Sequence, residues 1–304
     1  MSTARGSGSA PPHRHDGAIG VSSAFGSFGE LLQGVLPESP GDFLVTLPVA
    51  QWTMATFRLA ADVGEMIVRP AHKAKSRRLA EMILDWAGAP IGGVLALDSG
   101  LPEGKGVASS SADLVATARA VGNALQQPVP VQVLQRLLAR IEPTDGVLYP
   151  GIVVFDHRRA LLRRRLGSLP PLTIVAVDEG GAVDTVAFNR VAKPFSAADR
   201  REYATLLERL AVAVGDRDLR EVGAVATRSA VLNQALNAKK LLDDVIGVCE
   251  DVGGLGVVAT HSGTMLGVLL DTRDPAYTGR ISEAVRGCSA LGAEVSLYRS
   301  LSFD

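Results

Sequence analysis

The sequence predicts an α+β fold, and three observations carry that prediction. Short apolar segments punctuated by Gly and Pro fill the stretch from Ala18 to Pro70, and strand and helix patterns mix again beyond Val153. Between them a glycine-serine run leads straight into a helix pattern. A chain of 304 residues with 47% hydrophobic content can also bury a substantial core, as one large domain or two smaller ones.

Taken in order, Met1 to about Gly17 is rich in Ser, Gly, Pro, Arg and His and lacks the apolar stretch of a secretory signal. It reads as a disordered tail, with His13 and His15 solvated rather than metal-bound. Residues 19–24, 43–48, 53–59 and 66–69 read as strands. Residues 75–86 read as a helix that puts Leu79, Met82, Ile83 and Trp86 on one face, so Trp86 is expected in the core. Residues 94–97 form a strand that feeds the glycine-serine run, and Leu114, Val115, Ala118, Val121 and Leu125 recur at helical spacing after it. In the second half, 153–156, 161–166 and 172–178 read as strands, and helices are expected around 198–214, 219–236 and 240–252. Strands at 257–260, 265–271 and 294–298, with a helix inside 275–291, close the chain.

Composition narrows the partners. With 31 basic and 32 acidic residues the formal net charge is −1, so nothing global attracts nucleic acid or an acidic membrane, and small molecules are the expected ligands. No apolar run approaches the length of a membrane span. Cys249 and Cys288 are the only cysteines, which excludes a disulfide scaffold and offers no zinc spacing; a reducing cytoplasm is the expected home.

The run from Leu101 to Asp113 carries the chemistry. Gly104 and Gly106 let backbone approach an oxyanion, and Ser109, Ser110 and Ser111 fall at the cap and first turn of a helix, where free N–H groups and the positive dipole end favour phosphate. On composition alone the same run is an ordinary loop and cap. It is not a P-loop, because Lys105 is followed by Gly106 where a Ser or Thr would bind magnesium.

The run resembles the second motif of the GHMP kinases: a Pro, three residues, then Gly-Leu-Gly-Ser-Ser-Ala. Pro102, Gly106, Val107, Ala108, Ser109, Ser110 and Ser111 occupy those places, with Val107, Ala108 and Ser111 as conservative departures. Two further segments occur in family order: residues 24–34, with Gly29, Glu30 and Gln33, and residues 261–267, with His261, Ser262, Gly263 and Thr264. Together with Glu142, Pro143, Thr144, Asp145 and Gly146 they are similar to the L-threonine kinase family of cobalamin side-chain synthesis, from about Val21 to the C-terminal region.

That resemblance implies a two-lobed GHMP kinase fold. The ribosomal S5 domain 2-like N-terminal lobe would span residues 18–166 and the ferredoxin-like C-terminal lobe 167–304, with nucleotide and acceptor meeting between them. ATP and Mg²⁺ are the implied cofactors. Pro102, Gly104, Lys105, Gly106 and residues Val107 to Ser111 would cradle the phosphates, with Ser110 nearest the metal and Asp113 reaching it. Asp113 is equally favoured in a first turn by the dipole alone, and Lys105 reads as a phosphate neutraliser or as a solvated loop lysine.

Asp145 is the expected catalytic residue, as base or as the group that fixes the hydroxyl in line, although Asp-Gly is also a common turn. Glu30, Gln33, Thr144, His261, Ser262, Gly263 and Thr264 are the expected acceptor-binding residues. Glu30 suits an ammonium group but also reads as a capping or solvent-facing residue, and His261 as a structural histidine. Arg158, Arg159, Arg163, Arg164 and Arg165 read as a charged strand edge or as a docking patch, and without interleaved aromatics not as an RNA surface. The expected activity is transfer of the γ-phosphoryl group of ATP to free L-threonine, with L-serine, homoserine or another small hydroxylated metabolite as alternative acceptors. A silent ligand sensor with the kinase fold, or an RNA-binding protein, are the readings from other classes, and oligomeric state is not legible.

Overall fold

One long antiparallel hairpin, β1 (Ile19–Val35) against β2 (Asp42–Leu59), is the frame to which the other elements attach. The computed structural model of the chain describes residues 17–38, 41–60, 64–181 and 193–303, so the N-terminal segment with His13 and His15 lies outside the described residues apart from Gly17. Where the pattern predicted three separate strands over residues 19–59, two continuous ones are found. Gly26 and Gly29 mark register shifts at 25/26 and between 27 and 32, not chain reversals. The Ser27 hydroxyl fills the irregularity, donating to Gly29 O at 2.8 Å while accepting from Leu47 N at 2.9 Å.

The remaining strands are β3 (Met66–Arg69), β4 (Gly93–Ser99), β5 (Ile152–Asp156), β6 (Leu161–Gly167), β7 (Leu172–Asp178), β8 (Gly256–Ala259), β9 (Met265–Asp271) and β10 (Glu294–Arg299). They form one ten-stranded sheet in the order β10-β7-β9-β8-β1-β2-β4-β3, with β5 on β2 and β6 on β5. The two halves of the sheet meet where β1 touches β8 through the single pair Glu30 and Ala259.

Seven helices are found among the described residues: α1 (Ala74–Trp86), α2 (Ser109–Ala124), α3 (Val131–Ala139), α4 (Ala197–Asp216), α5 (Leu219–Asn233), α6 (Leu242–Asp251) and α7 (Tyr277–Ala290). α3 has no counterpart among the elements expected from the sequence; Pro130 sits at its N-cap, just before the first turn, where a missing N–H does no harm. Trp86 is half-buried, packed on the edge of the main core rather than within it.

Every residue of β7 is buried, and the reason is two-sided packing. Leu172, Ile174 and Ala176 join the main core shared with the β1–β2 hairpin, while Val175 and Val177 join a second cluster with Val245 and Cys249 of α6 and Cys288 of α7. Both cysteines are free and buried there. The arginine cluster is answered locally: Arg158 pairs with Asp42 at 3.2 Å, Arg164 with Glu208 at 3.2 Å, and Arg165 lies 4.8 Å over the Tyr149 ring. No helix of the described residues is long and apolar enough to cross a membrane.

Helix α2 lies directly on β1, and Gly20 makes that approach possible: a Cβ there would stand 2.0 Å from Ala120 O and 2.4 Å from Ala124 N. Gly20→Ala is therefore expected to destabilise the fold by about 1–3 kcal/mol through overpacking, measured by denaturant unfolding, without changing the affinity of the distant cleft for its ligands.

Candidate active site

A cleft of about 400 Å³ opens between the β4–α2 loop, the start of α1 and the middle of β1. The loop is shaped by three left-handed residues, Gly104 (φ +72°), Gly106 (φ +84°) and Ala108 (φ +59°). Glycine is required at 106 because a Cβ would stand 2.6 Å from Thr260 Cβ. The predicted serines begin the helix, but the cap position itself falls on Ala108, which offers no side-chain cap. The first-turn amides of α2 are thus left without a side-chain partner at the cap, and the serine hydroxyls serve elsewhere.

Ser110 and Ser111 point to two different carboxylates. Ser110 Oγ donates to Glu142 Oε1, and the second oxygen of Glu142 pairs with Lys75 at the start of α1. Ser111 Oγ accepts from the Asp145 backbone N–H at 2.9 Å and from Thr144 Oγ1 at 3.0 Å, and donates to Asp145 Oδ2 at 3.2 Å. Burial pushes the Asp145 carboxyl from an ordinary 3.8 up to about 7, the nearby Glu30 and Glu142 charges push it the same way, and the Ser111 hydrogen bond opposes them. A carboxyl poised near neutrality within a cleft is suited to taking a proton from a hydroxyl.

Of the residues singled out from sequence, the cleft gathers Gly104 and 106–111 from the loop, Asp113 from α2, Asp145, Glu30 and Gln33 from β1, and Ser262 from the β8–β9 turn. Others are placed differently. Lys105 turns out of the cleft to pair with Asp178 at 2.6 Å and to donate to Gly181 O at 2.8 Å, and Pro102 does not line it. Asp113 lines the cleft, but Thr53 Oγ1 donates to one of its oxygens at 2.8 Å and Lys73 takes the other at 2.5 Å. His261 is buried at 1% exposure behind Glu30, and Thr144 and Thr264 bond inward to Ser111 and to Asp178. Gly263 packs its backbone against the Lys105 carbonyl, where a Cβ would come within 2.0 Å, so its role is to let the third motif touch the loop.

Sequence reasoning passed over Lys73, Lys75 and His157, which also line the cleft, and used Glu142 only as a flanking marker. One signal was available: His72, Lys73 and Lys75 put positive charge at the N-terminal end of a helix, where the dipole disfavours it, so partners outside the helix were implied. Lys73 bridges Glu103 at 2.6 Å and Asp113, and although burial works against its charge, these two carboxylates hold its ammonium pKa above the usual value.

Residues 73–149, the segment holding α1, the loop, α2 and Asp145, match the GHMP kinases N terminal domain. The whole fold is similar to homoserine kinase from Cytophaga hutchinsonii (TM-score 0.70, 17% identity, 93% of this chain and 95% of that one). It is also similar to L. major mevalonate kinase (TM-score 0.68, 16% identity, 94% and 96%). Residues 73–149 thus carry a GHMP kinase N-terminal domain, and the chain is an ATP-dependent kinase that acts on a hydroxyl group. Within that class it is similar to the L-threonine kinase of Citrobacter freundii, 28% identical over 83% of this chain and 87% of that protein. It is equally similar to the L-threonine kinase of Salmonella typhimurium, 28% identical over 84% of each.

The raised pKa of Asp145 has a sign. The folded chain holds this proton more tightly than the unfolded one, so the group favours folding at low pH and that contribution is lost as pH rises toward and through about 7. Asp145→Asn is expected to raise Tm at pH 8 by about 2 °C or more, with the gain shrinking as pH falls toward 4. A pH-independent difference in thermal unfolding would contradict the electrostatic assignment.

Proposed function

We propose that the protein transfers the γ-phosphoryl group of ATP to the side-chain hydroxyl of free L-threonine, giving O-phospho-L-threonine and ADP. The observation that carries the acceptor is the pair of acidic groups at one end of the cleft: Glu30 stands close enough to raise the pKa of Asp145, and both line the cavity. An ammonium group and a hydroxyl on adjacent carbons suit such a pair, with the cation against Glu30 and the hydroxyl against Asp145. The similarity to L-threonine kinases over most of the chain supports the same acceptor. L-serine and homoserine remain the nearest competitors, since one methyl group in an apolar pocket discriminates by only about 1–3 kcal/mol.

In this reading the polyphosphate lies along residues 104–111, on the amides of the first turn of α2. Asp145 fixes the acceptor hydroxyl and takes its proton as the oxygen bonds to the γ-phosphorus, and the bond from that phosphorus to the β-γ bridging oxygen breaks to release ADP. Ser110 and Glu142 would hold Mg²⁺. They fit it as two adjacent oxygen donors, one already facing a cation in Lys75, and no acidic or histidine cluster among the described residues competes as a complete cage. That is the donor set expected of a magnesium ion whose other ligands are phosphate oxygens and water. When bound, the ion would neutralise charge on the β- and γ-phosphates.

The two-lobe division at residues 166 and 167 belongs to this proposal, as do a cytoplasmic location and the absence of nucleic-acid partners. A place in cobalamin side-chain synthesis rests on the resemblance of the three motifs. The sensor alternative is disfavoured by the presence and setting of Asp145.

The test is ADP release with Mg-ATP and no acceptor, L-threonine, L-serine, L-homoserine or galactose. Threonine-dependent turnover, reduced at least about 10²-fold in Asp145→Asn, is expected. Turnover with a different acceptor alone would replace the substrate, and nucleotide binding without turnover would favour the sensor. Glu142→Gln is expected to raise the Mg²⁺ concentration needed for half-maximal rate about tenfold or more, read by magnesium titration at saturating ATP.

A further inference from the structure

His261 occupies the first place of the third motif, yet it is buried and does not line the cleft. Its ring is instead spanned by hydrogen bonds at both nitrogens. Nδ1 lies 2.9 Å from Glu30 Oε2 and 3.1 Å from Ala259 O, both acceptors, so Nδ1 carries the proton. The backbone N–H of His261 donates to the same Glu30 oxygen at 3.1 Å. Nε2 stands 2.8 Å from Ser229 Oγ on α5, and that oxygen also accepts the Gln33 backbone N–H at 3.2 Å. With Nδ1 protonated, every link pairs a donor with an acceptor: Gln33 N–H to Ser229 Oγ, Ser229 O–H to Nε2, and Nδ1–H to the Glu30 carboxylate.

The chain therefore begins and ends on the two cleft-lining residues of β1. The Gln33 side-chain oxygen Oε1 is buried and has no hydrogen-bond partner among the described residues. Glu30 and Gln33 thus offer a carboxylate and a free carbonyl oxygen to one side of the cleft, the acceptor set that an ammonium group, a donor in three directions, requires. Asn233 Nδ2 at 3.3 Å and Asn237 Nδ2 at 2.9 Å both donate to the His261 carbonyl, which fixes the backbone carrying the ring.

We propose that His261 and Ser229 are positioning residues: through this buried relay they orient Glu30 as the receptor for the acceptor's ammonium group, and so set the preference for amino-bearing over amino-free hydroxy acids. Neither residue touches the substrate; they act through Glu30, and the selectivity of a site on β1 is set from α5 and the β8–β9 turn. This rests on the reading of the acceptor as L-threonine.

The experiment compares L-threonine with 3-hydroxybutyrate, which keeps the hydroxyl and carboxylate and lacks the amino group, in the wild type, His261→Ala, His261→Asn and Ser229→Ala. Wild type is expected to prefer L-threonine strongly. His261→Ala should raise KM for L-threonine about tenfold, the scale of one charged hydrogen bond, and narrow the kcat/KM ratio of the two acceptors by the same factor, with KM for ATP unchanged. His261→Asn, whose amide N–H can stand in for Nδ1–H, should recover most of the ratio, and Ser229→Ala should narrow it less than His261→Ala. An unchanged ratio in His261→Ala, or equal behaviour of the Ala and Asn variants, overturns the relay. Should His261→Ala fail to fold, Ser229→Ala carries the test alone, and an unchanged ratio there overturns it too. Wild-type turnover of another amino alcohol would replace threonine while leaving the relay to be read on that compound and its amino-free analogue. Wild-type turnover only of amino-free acceptors overturns both.

Discussion

The middle of β1 is the point on which the architecture turns, because three parts of the chain are joined to Ser27, Gly29 and Glu30 within one four-residue stretch. Ser27 N donates to Val107 O at 3.3 Å and Gly29 N to Gly106 O at 3.2 Å, which seats the β4–α2 loop on the strand. Glu30 pairs with Ala259 of β8, and Ser27 binds Leu47 of β2. Gly29, at φ +51°, has the Ala259 carbonyl where a Cβ would stand 2.2 Å away, so the crossing tolerates no side chain at that position. An irregular strand at this site lets one sheet carry both the β4–α2 loop and the Glu30 carboxylate within a single cleft.

Electrostatics in the cleft follow from how α2 distributes its serines. Successive hydroxyls on a first helical turn diverge by about 100°, so Ser110 reaches Glu142 while Ser111 reaches Asp145. One carboxylate meets a lysine and stays available to cations; the other is surrounded by protein and like charge and holds its proton up to about 7. Two acids three residues apart in sequence thereby acquire different chemistry from their surroundings.

Local pattern made much of this legible. Strand β7, residues 172–178, and strand β9, residues 265–271, are found where their short apolar runs predicted them, and α1 begins one residue earlier than expected. Asp145, Glu30, Gln33, Ser262, Gly104 and residues 106–111 were named from the motif segments, and all of these line one cleft. What was not legible depends on distant partners. Nothing local in the sequence says that Lys105 pairs with Asp178, or that Lys73 and Thr53 take the two oxygens of Asp113.

The sequence by itself determined the alternation of elements, the glycines that the β4–α2 loop needs and the order of the motif segments, because all of these are set within about ten residues by backbone sterics and hydrophobic period. Only the tertiary structure decided which charges meet. Glu30 with His261, separated by 231 residues, and Ser229 with His261, separated by 32, have no local signature. The pKa of Asp145 likewise depends on burial and on charges that the fold brings in from elsewhere. Electrostatic energies fall with distance in space and not along the chain, so such roles become readable only after folding has set the distances.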